Sequence, residues 1–191
     1  KFGKTEKGNI WLDAAKTSTY QFYQFWLNAA DDDAKKWIKV FTFLTKEEIE
    51  TLIDAHETDG AKRILQKALA KEITMFVHGN DEFIKAVETT EKLFSNQNED
   101  AEMLSIEDLE AMNGVIKFEY AFSKIEQNPD AVSFLADCGI MPSKGEAKKM
   151  IQNGGVSINR KKIETLQMII NSSLLLHQKY LLVQKGKKNY F

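Results

Sequence analysis

Pro142-Ser143-Lys144-Gly145-Glu146-Ala147-Lys148-Lys149-Met150-Ile151-Gln152-Asn153-Gly154-Gly155-Val156-Ser157-Ile158-Asn159-Arg160-Lys161-Lys162-Ile163 changes its local grammar twice, and those changes decide the C-terminal architecture. Ser143 and Glu146 have the spacing of a capping box, which opens a helix. Ala147, Met150 and Ile151 then follow a helical stripe, while Lys144 and Lys148 stand one turn apart on another face. Asn153-Gly154-Gly155 reads as a tight turn, and Val156-Ser157-Ile158 alternates as a short strand. Asn159-Arg160-Lys161-Lys162 follows as a basic turn. Upstream, Asp130 caps a helix carrying Val132, Phe134 and Leu135, which Gly139 stops. Downstream, Tyr180–Val183 and the Gln184-Lys185-Gly186-Lys187-Lys188 run read as a closing hairpin with a basic tip. Residues 130–191 are therefore expected to form a small α/β domain.

Working towards the N-terminus, residues 17–95 read as an all-α bundle. Asp31 is placed to cap a helix with Ala34, Trp37, Ile38 and Phe41 on one stripe. Thr45 and Glu48 make a capping box before Ile49, Leu52 and Ile53. A longer helix over Ala61–Val77 carries Ile64, Leu65, Ala68, Leu69 and Ile73, and His78-Gly79-Asn80-Asp81 breaks it. Aromatic residues crowd the first helix, at Tyr20, Phe22, Tyr23, Phe25 and Trp26. They suit stacking of unpaired bases, but Phe22, Phe25 and Trp26 share one face, and core packing is the default reading. Residues 96–129 are polar and acidic and read as a partly helical tether. The fold class is α+β: a helical bundle followed by a small mixed domain.

Composition limits the chemistry. The chain has 191 residues, 43% of them hydrophobic, enough for real cores. No apolar run is long enough for a membrane span, and no charged-then-apolar leader points to secretion. A single cysteine, Cys138, excludes an internal disulfide, fits a cytoplasmic setting, and reads as a small buried apolar residue. His56, His78 and His177 are scattered, so no metal site is expected. The net charge of −2 hides an asymmetry: residues 91–132 hold 3 basic and 10 acidic side chains, residues 133–191 hold 10 and 3. A basic module beyond an acidic stretch fits a nucleic-acid partner, whose phosphates supply most non-specific affinity.

The first residues, Lys1-Phe2-Gly3-Lys4-Thr5, combine two lysines, a glycine and a hydroxyl, which suits a loop closing over a polyphosphate. With KFGKTEKGNIWLD (1–13), KTSTYQFYQFWLN (16–28) and KVFTFLTKEEI (39–49), the region resembles the stretch after the catalytic domain of bacterial tyrosyl-tRNA synthetases. In that family KFGKT stands where class I synthetases carry their KMSKS signature. Pro142–Ile163 resembles the RNA-binding domain shared with a small-subunit ribosomal protein, called S-four-like here.

The resemblance covers essentially the whole chain. It implies a catalytic-loop remnant at 1–16, an anticodon-binding bundle at 17–95, an acidic linker at 96–129 and an S-four-like domain at 130–191. For the complete enzyme it implies ATP-dependent activation of tyrosine, with magnesium, and transfer to tyrosine tRNA. Lys1 and Lys4 would stabilise pyrophosphate in the activation transition state, Lys4 touching ATP, and Thr5 would donate its hydroxyl. The RNA-contacting set is Lys144, Lys148, Lys149, Arg160, Lys161, Lys185, Lys187 and Lys188, whose chemistry suits phosphate positioning. Gly145 departs from relatives that often carry a basic residue there, so that one phosphate contact is either missing or supplied by Lys149. An HxGH-type motif is absent, so this chain alone is expected to be inactive, to bind no cofactor and to be monomeric, dimerisation falling to the absent catalytic domain. Neither DNA nor membrane is an expected partner. The alternative is a stand-alone S-four-like RNA-binding factor or a module of an RNA-modifying enzyme such as a pseudouridine synthase. A phosphate-loop NTPase fails, since GxxxxGK[ST] does not occur.

Overall fold

The computed structural model of the chain describes residues 4–5, 8–94, 101–110, 112, 114–187 and 189–191, with side chains from Asn9 onward. The chain divides between Glu91 and Lys92 into two compact units.

The first unit opens with an antiparallel pair, β1 (Lys4–Thr5) and β2 (Gly8–Asn9), with Lys4 opposite Asn9. Helices α1 (Thr19–Leu27), α2 (Asp31–Phe41), α3 (Lys46–Thr58) and α4 (Ile64–His78) follow, then α5 (Asn80–Phe94), whose last turn lies beyond the unit boundary. Helix α4 is central, packing on α1, α2 and α3. Its Leu65, Leu69 and Ile73 recur every fourth residue and are buried against Phe22, Trp26, Ala34 and Ile38. The aromatic stripe of α1 is core: Phe22 is 1% exposed, and Trp26 packs edge-on against Trp37. The Thr45–Glu48 capping box is formed in both directions. Asp31 is not a cap. Ala30 occupies that position without a side-chain bond, and the Asp31 carboxylate turns across the bundle to accept from Gln66 Nε2 (2.5 Å) and the buried His56 Nε2 (3.2 Å). The helix expected from Ala61 starts later because Arg63, at φ 53°, separates a 3-10 turn (Gly60–Lys62) from α4. Its guanidinium donates to the carbonyls of Leu27 and Ala29, tying down the α1–α2 loop.

In the second unit a 3-10 turn (Ala101–Met103), α6 (Ile106–Glu110) and α7 (Phe122–Ile125) precede α8 (Ala131–Asp137) and α9 (Lys144–Gln152). Strands β3 (Val156–Ile158), β4 (Lys161–Lys162), β5 (Val183–Lys185) and β6 (Asn189–Tyr190) form one antiparallel sheet in the order β4-β3-β5-β6. Its core joins Phe134 and Leu135 of α8, Ala147 and Ile151 of α9, and Val156, Ile158 and Val183 of the sheet. Asp130 and Ser143 cap their helices as the sequence suggests, accepting from the N–H groups of Ser133 and Glu146.

The acidic stretch departs from a tether. From Ala101 onward some of its apolar residues, Ala101, Leu104, Leu109, Met112 and Ile125, are buried in this unit, while Met103, Ile106, Ile116, Phe118 and Phe122 stay exposed. The physical reason is polar clamping, which a composition count does not register. His177 Nε2 meets the Leu104 carbonyl at 2.6 Å, Tyr180 Oη donates to Glu110 (2.6 Å), and Lys92 pairs with Asp108 (2.9 Å).

Candidate nucleic-acid interface

The α9–β3 connection is built by steric necessity. Gly154 takes φ 64°, and a Cβ on Gly155 would lie 2.5 Å from Met150 Sδ and 3.3 Å from the Met150 carbonyl. Gly155 accepts from the Gly186 N–H at 2.7 Å, so the β5–β6 turn is held against the end of α9. At the other end of β3, Asn159 and Arg160 both have positive φ (48° and 67°), the signature of a type I′ hairpin turn. Asparagine serves here twice. It tolerates the left-handed region, and its amide donates to the Leu174 carbonyl (2.6 Å) and accepts from the Leu182 N–H (3.0 Å).

On α9 the core-facing Ala147 and Ile151 leave Lys144, Lys148 and Lys149 exposed. Lys144 Nζ donates to Ser133 Oγ at 3.1 Å, and that hydroxyl donates to Asp130 Oδ2 at 2.9 Å. The Asp130 carboxyl is held below the usual range chiefly by the Ser133 backbone N–H. The side chains of Lys148 and Lys149 make no ion pair among the described residues. Lys187 is exposed on the β5–β6 turn, whereas Lys185, half-buried, donates to the Ile140 carbonyl.

The expected basic set is thus not one patch of equivalent cations. Lys185 and Lys187 belong with the Gly155 turn, while Arg160 and Lys161 lie at the opposite end of β3. Lys161 is exposed in strand β4 rather than in a turn. Arg160 is half-buried, and its Nη2 donates to the Lys92 carbonyl at 2.8 Å, a structural bond that restricts its reach. Lys162 was not singled out from the sequence. It is exposed opposite Ser157, and strand register, invisible in a run of basic residues, is what separates it from Lys161. Lys1 and Lys188 lie outside the described residues, as do the side chains of Lys4 and Thr5, whose backbones form β1.

Two groups sit apart from this surface. Burial pushes the Cys138 thiol up, as expected of an inert core residue. Glu110 is held low by the Tyr180 hydroxyl and then by Lys179. Among the described residues no group of three or more His, Cys, Asp or Glu could hold a metal ion, and no helix is long and apolar enough to cross a membrane.

Exposed lysines thus stand on α9, at Lys144, Lys148 and Lys149, and on the β5–β6 turn, at Lys187, and comparison with known proteins gives the class of the chain. Residues 1–95 match the class I tRNA synthetases (W and Y). Residues 110–191 match the tyrosine–tRNA ligase SYY-like C-terminal domain. The tyrosine–tRNA ligase of Cytophaga hutchinsonii is 48% identical over 196 residues, covering all of this chain and 46% of that protein. That of Bacteroides thetaiotaomicron is 46% identical over 194 residues, covering all of this chain and 45% of that protein. A C-terminally truncated Aspergillus nidulans mitochondrial tyrosyl-tRNA synthetase superposes with a TM-score of 0.44 at 37% identity, over 45% of this chain and 25% of that one. The chain belongs to the tyrosine–tRNA ligase family, as a C-terminal part, and spans about half the length of the curated relatives it matches.

Proposed function

We propose that this chain is the tRNA-holding part of an enzyme that activates tyrosine with ATP and joins it to tyrosine tRNA. The observation that carries the reading is the pair of solvent-facing lysines on the Ser143-capped helix, Lys148 and Lys149, beside Lys144. They are cations that the fold itself does not use for ion pairs. Phosphate contacts of this kind position an RNA duplex without reading its bases, and A-form RNA is recognised largely by shape. Lys187 on the hairpin turn and Lys161 and Lys162 on β4 extend the cationic surface. Arg160 and Lys185 contribute through the turns they hold.

In the complete enzyme, Lys1 and Lys4 would neutralise the pyrophosphate leaving group, with Thr5 as hydroxyl donor. The nucleotide is a substrate there, and no residue of this chain is assigned to magnesium. The reading further entails a cytoplasmic, homodimeric parent whose dimer contact lies outside this chain, a fragment that is monomeric and silent in catalysis, and domain limits near 17–95 and 130–191. The stand-alone RNA-factor alternative has no observation in its favour that the ligase reading lacks.

The test is tRNA binding across salt. The chain should bind tyrosine tRNA with a log–log salt slope of about −3 to −6, for about 4 to 7 neutralised phosphates. Replacing Lys144 and Lys148 together by alanine should lower affinity and flatten the slope by about 2, with folding intact. An unchanged slope in that variant would remove α9 from the RNA face.

A further inference from the structure

Lysines 144, 148 and 149 are all exposed on α9, and only one of them is held. The side chains of Lys148 and Lys149 make no hydrogen bond or ion pair among the described residues. Lys144 crosses from the first turn of α9 to the first turn of α8, where its Nζ donates to Ser133 Oγ at 3.1 Å. Two features of the fold set up that crossing. Gly139, at φ 85°, turns the chain after α8, and the Met141 N–H closes the turn on the Leu135 carbonyl at 2.9 Å. Leu135 and Ala147 are then buried in one core, which fixes the two helices to each other.

The direction of each hydrogen bond follows from the groups involved. Asp130 caps α8, its Oδ1 accepting from the Ser133 N–H and its Oδ2 from the Ser133 hydroxyl, both at 2.9 Å. Its carboxyl, held below the usual range, is ionised at neutral pH. An ionised carboxylate only accepts, and an ammonium only donates. The hydroxyl proton therefore points at Asp130 and an oxygen lone pair at Lys144, and each bond strengthens the other. Lys144 spends one of its three N–H donors in this way, and its side chain remains exposed, so the others are left for a phosphate. Ser133 is neutral, so the tie restrains the ammonium without cancelling its charge. A free lysine side chain loses rotamer freedom when it binds a ligand, and one already held loses less.

We propose that Ser133 and Asp130 are positioning residues of the RNA-binding surface, holding Lys144 ready for a backbone phosphate through a carboxylate–hydroxyl–ammonium chain. The proposal rests on the reading of α9 as an RNA-binding helix. It gives a part in binding to α8, a helix that carries no basic residue of its own.

The test uses the whole 191-residue chain and a fluorescein-labelled tyrosine tRNA across a range of salt. Ser133→Ala changes no charge and keeps the bond from the backbone N–H to Asp130. It should weaken binding about threefold at every salt concentration and leave the log–log slope unchanged. Lys144→Ala should instead flatten the slope by about 1. Ser133→Thr retains the hydroxyl and should bind like the parent. In the Lys144→Ala background, Ser133→Ala should have no further effect, because no ammonium remains to be held. A merely structural role would cost affinity in both backgrounds, and an equal loss in both would overturn the proposal. Parental affinity in Ser133→Ala would also overturn it, as would higher affinity, which would mean that the contact holds Lys144 back from the RNA. These outcomes leave the ligase reading standing as long as Lys144→Ala flattens the slope. A Lys144→Ala variant with the parent's slope overturns the proposal and removes Lys144 from the RNA face. A chain that does not bind tyrosine tRNA overturns the proposal and the ligase reading together.

Discussion

The two units solve the same problem with different materials. The first has helices long enough to bury continuous stripes: Leu65 and Leu69 on α4 and Ile38 on α2 are 0% exposed, and most of its organisation follows from them. The second is assembled from short pieces, with strands of two and three residues. Such pieces bring few ladder bonds of their own, so side chains reach across to backbone: Asn159 to Leu174 and Leu182, His177 to Leu104, Lys185 to Ile140. The first unit is held by area and the second by clamps, which predicts opposite sensitivities to mutation.

The chain carries its own reporters for that comparison. All three tryptophans, Trp11, Trp26 and Trp37, lie in the first unit, and the sole cysteine, buried Cys138, lies in the second. Tryptophan fluorescence in urea therefore follows one unit, and thiol labelling follows the other. The largest expected effect is Phe22→Ala, which removes a ring 1% exposed that also packs edge-on against His78 at 4.8 Å. A loss of about 3–5 kcal/mol should shift the tryptophan transition. Labelling of Cys138 in urea should move little. An equal shift in both signals would show that the units unfold together and would break the comparison.

The complementary change is Asn159→Ala. It strands the Leu174 carbonyl and the Leu182 N–H and puts a non-glycine, non-asparagine residue at φ 48°. Together these should cost about 2–3 kcal/mol, read as faster Cys138 labelling with an unmoved tryptophan transition. Asn159→Gly separates the two causes, because glycine accepts the backbone angle and loses only the amide bonds. If glycine restores parental protection, the clamp contributes nothing and backbone strain is the whole effect.

The same contrast explains what could be read from the sequence. The Thr45–Glu48 box, the α4 stripe, the Ser143 cap and the Gly154-Gly155 turn are local patterns, each set by residues a few positions apart. Residues 101–128 were illegible because what fixes them is distant: Tyr180 and Lys179 on Glu110, His177 on Leu104. Acidic composition suggested a solvated tether, but Asp108 and Glu110 carry their charge to specific partners. Asp31 was misread for a related reason. It has the residue type of a cap, and only the fold brings Gln66 and His56 within reach. At the candidate RNA surface, residue type identified the lysines, but it could not show that Arg160 is spent on the Lys92 carbonyl.

Acid separates the units by a smaller margin. Asp108 is held below its ordinary value chiefly by Lys92 and then by the Ser105 N–H, and Asp31 in the first unit chiefly by the Gln66 amide. A carboxyl whose folded pKa is depressed stabilises the fold fully above its unfolded value, near 3.8 here. That contribution fades as pH falls through the lower folded value. Asparagine cannot titrate, so Asp108→Asn should lower stability slightly at neutral pH and flatten the loss on acidification. Lys92 and Asp108 are about one-third exposed, and solvent screening keeps the effect within about 1 kcal/mol. A pyridyl disulfide, which reacts with thiols below neutral pH, reads it at Cys138 between pH 6 and pH 3. Asp31→Asn should flatten the acid dependence of the tryptophan signal and leave Cys138 unchanged. If Asp108→Asn leaves the acid dependence of Cys138 protection at its parental steepness, the Lys92 pair is a surface contact that does not help hold residues 101–110 in place. The clamps would then reduce to His177 and Tyr180.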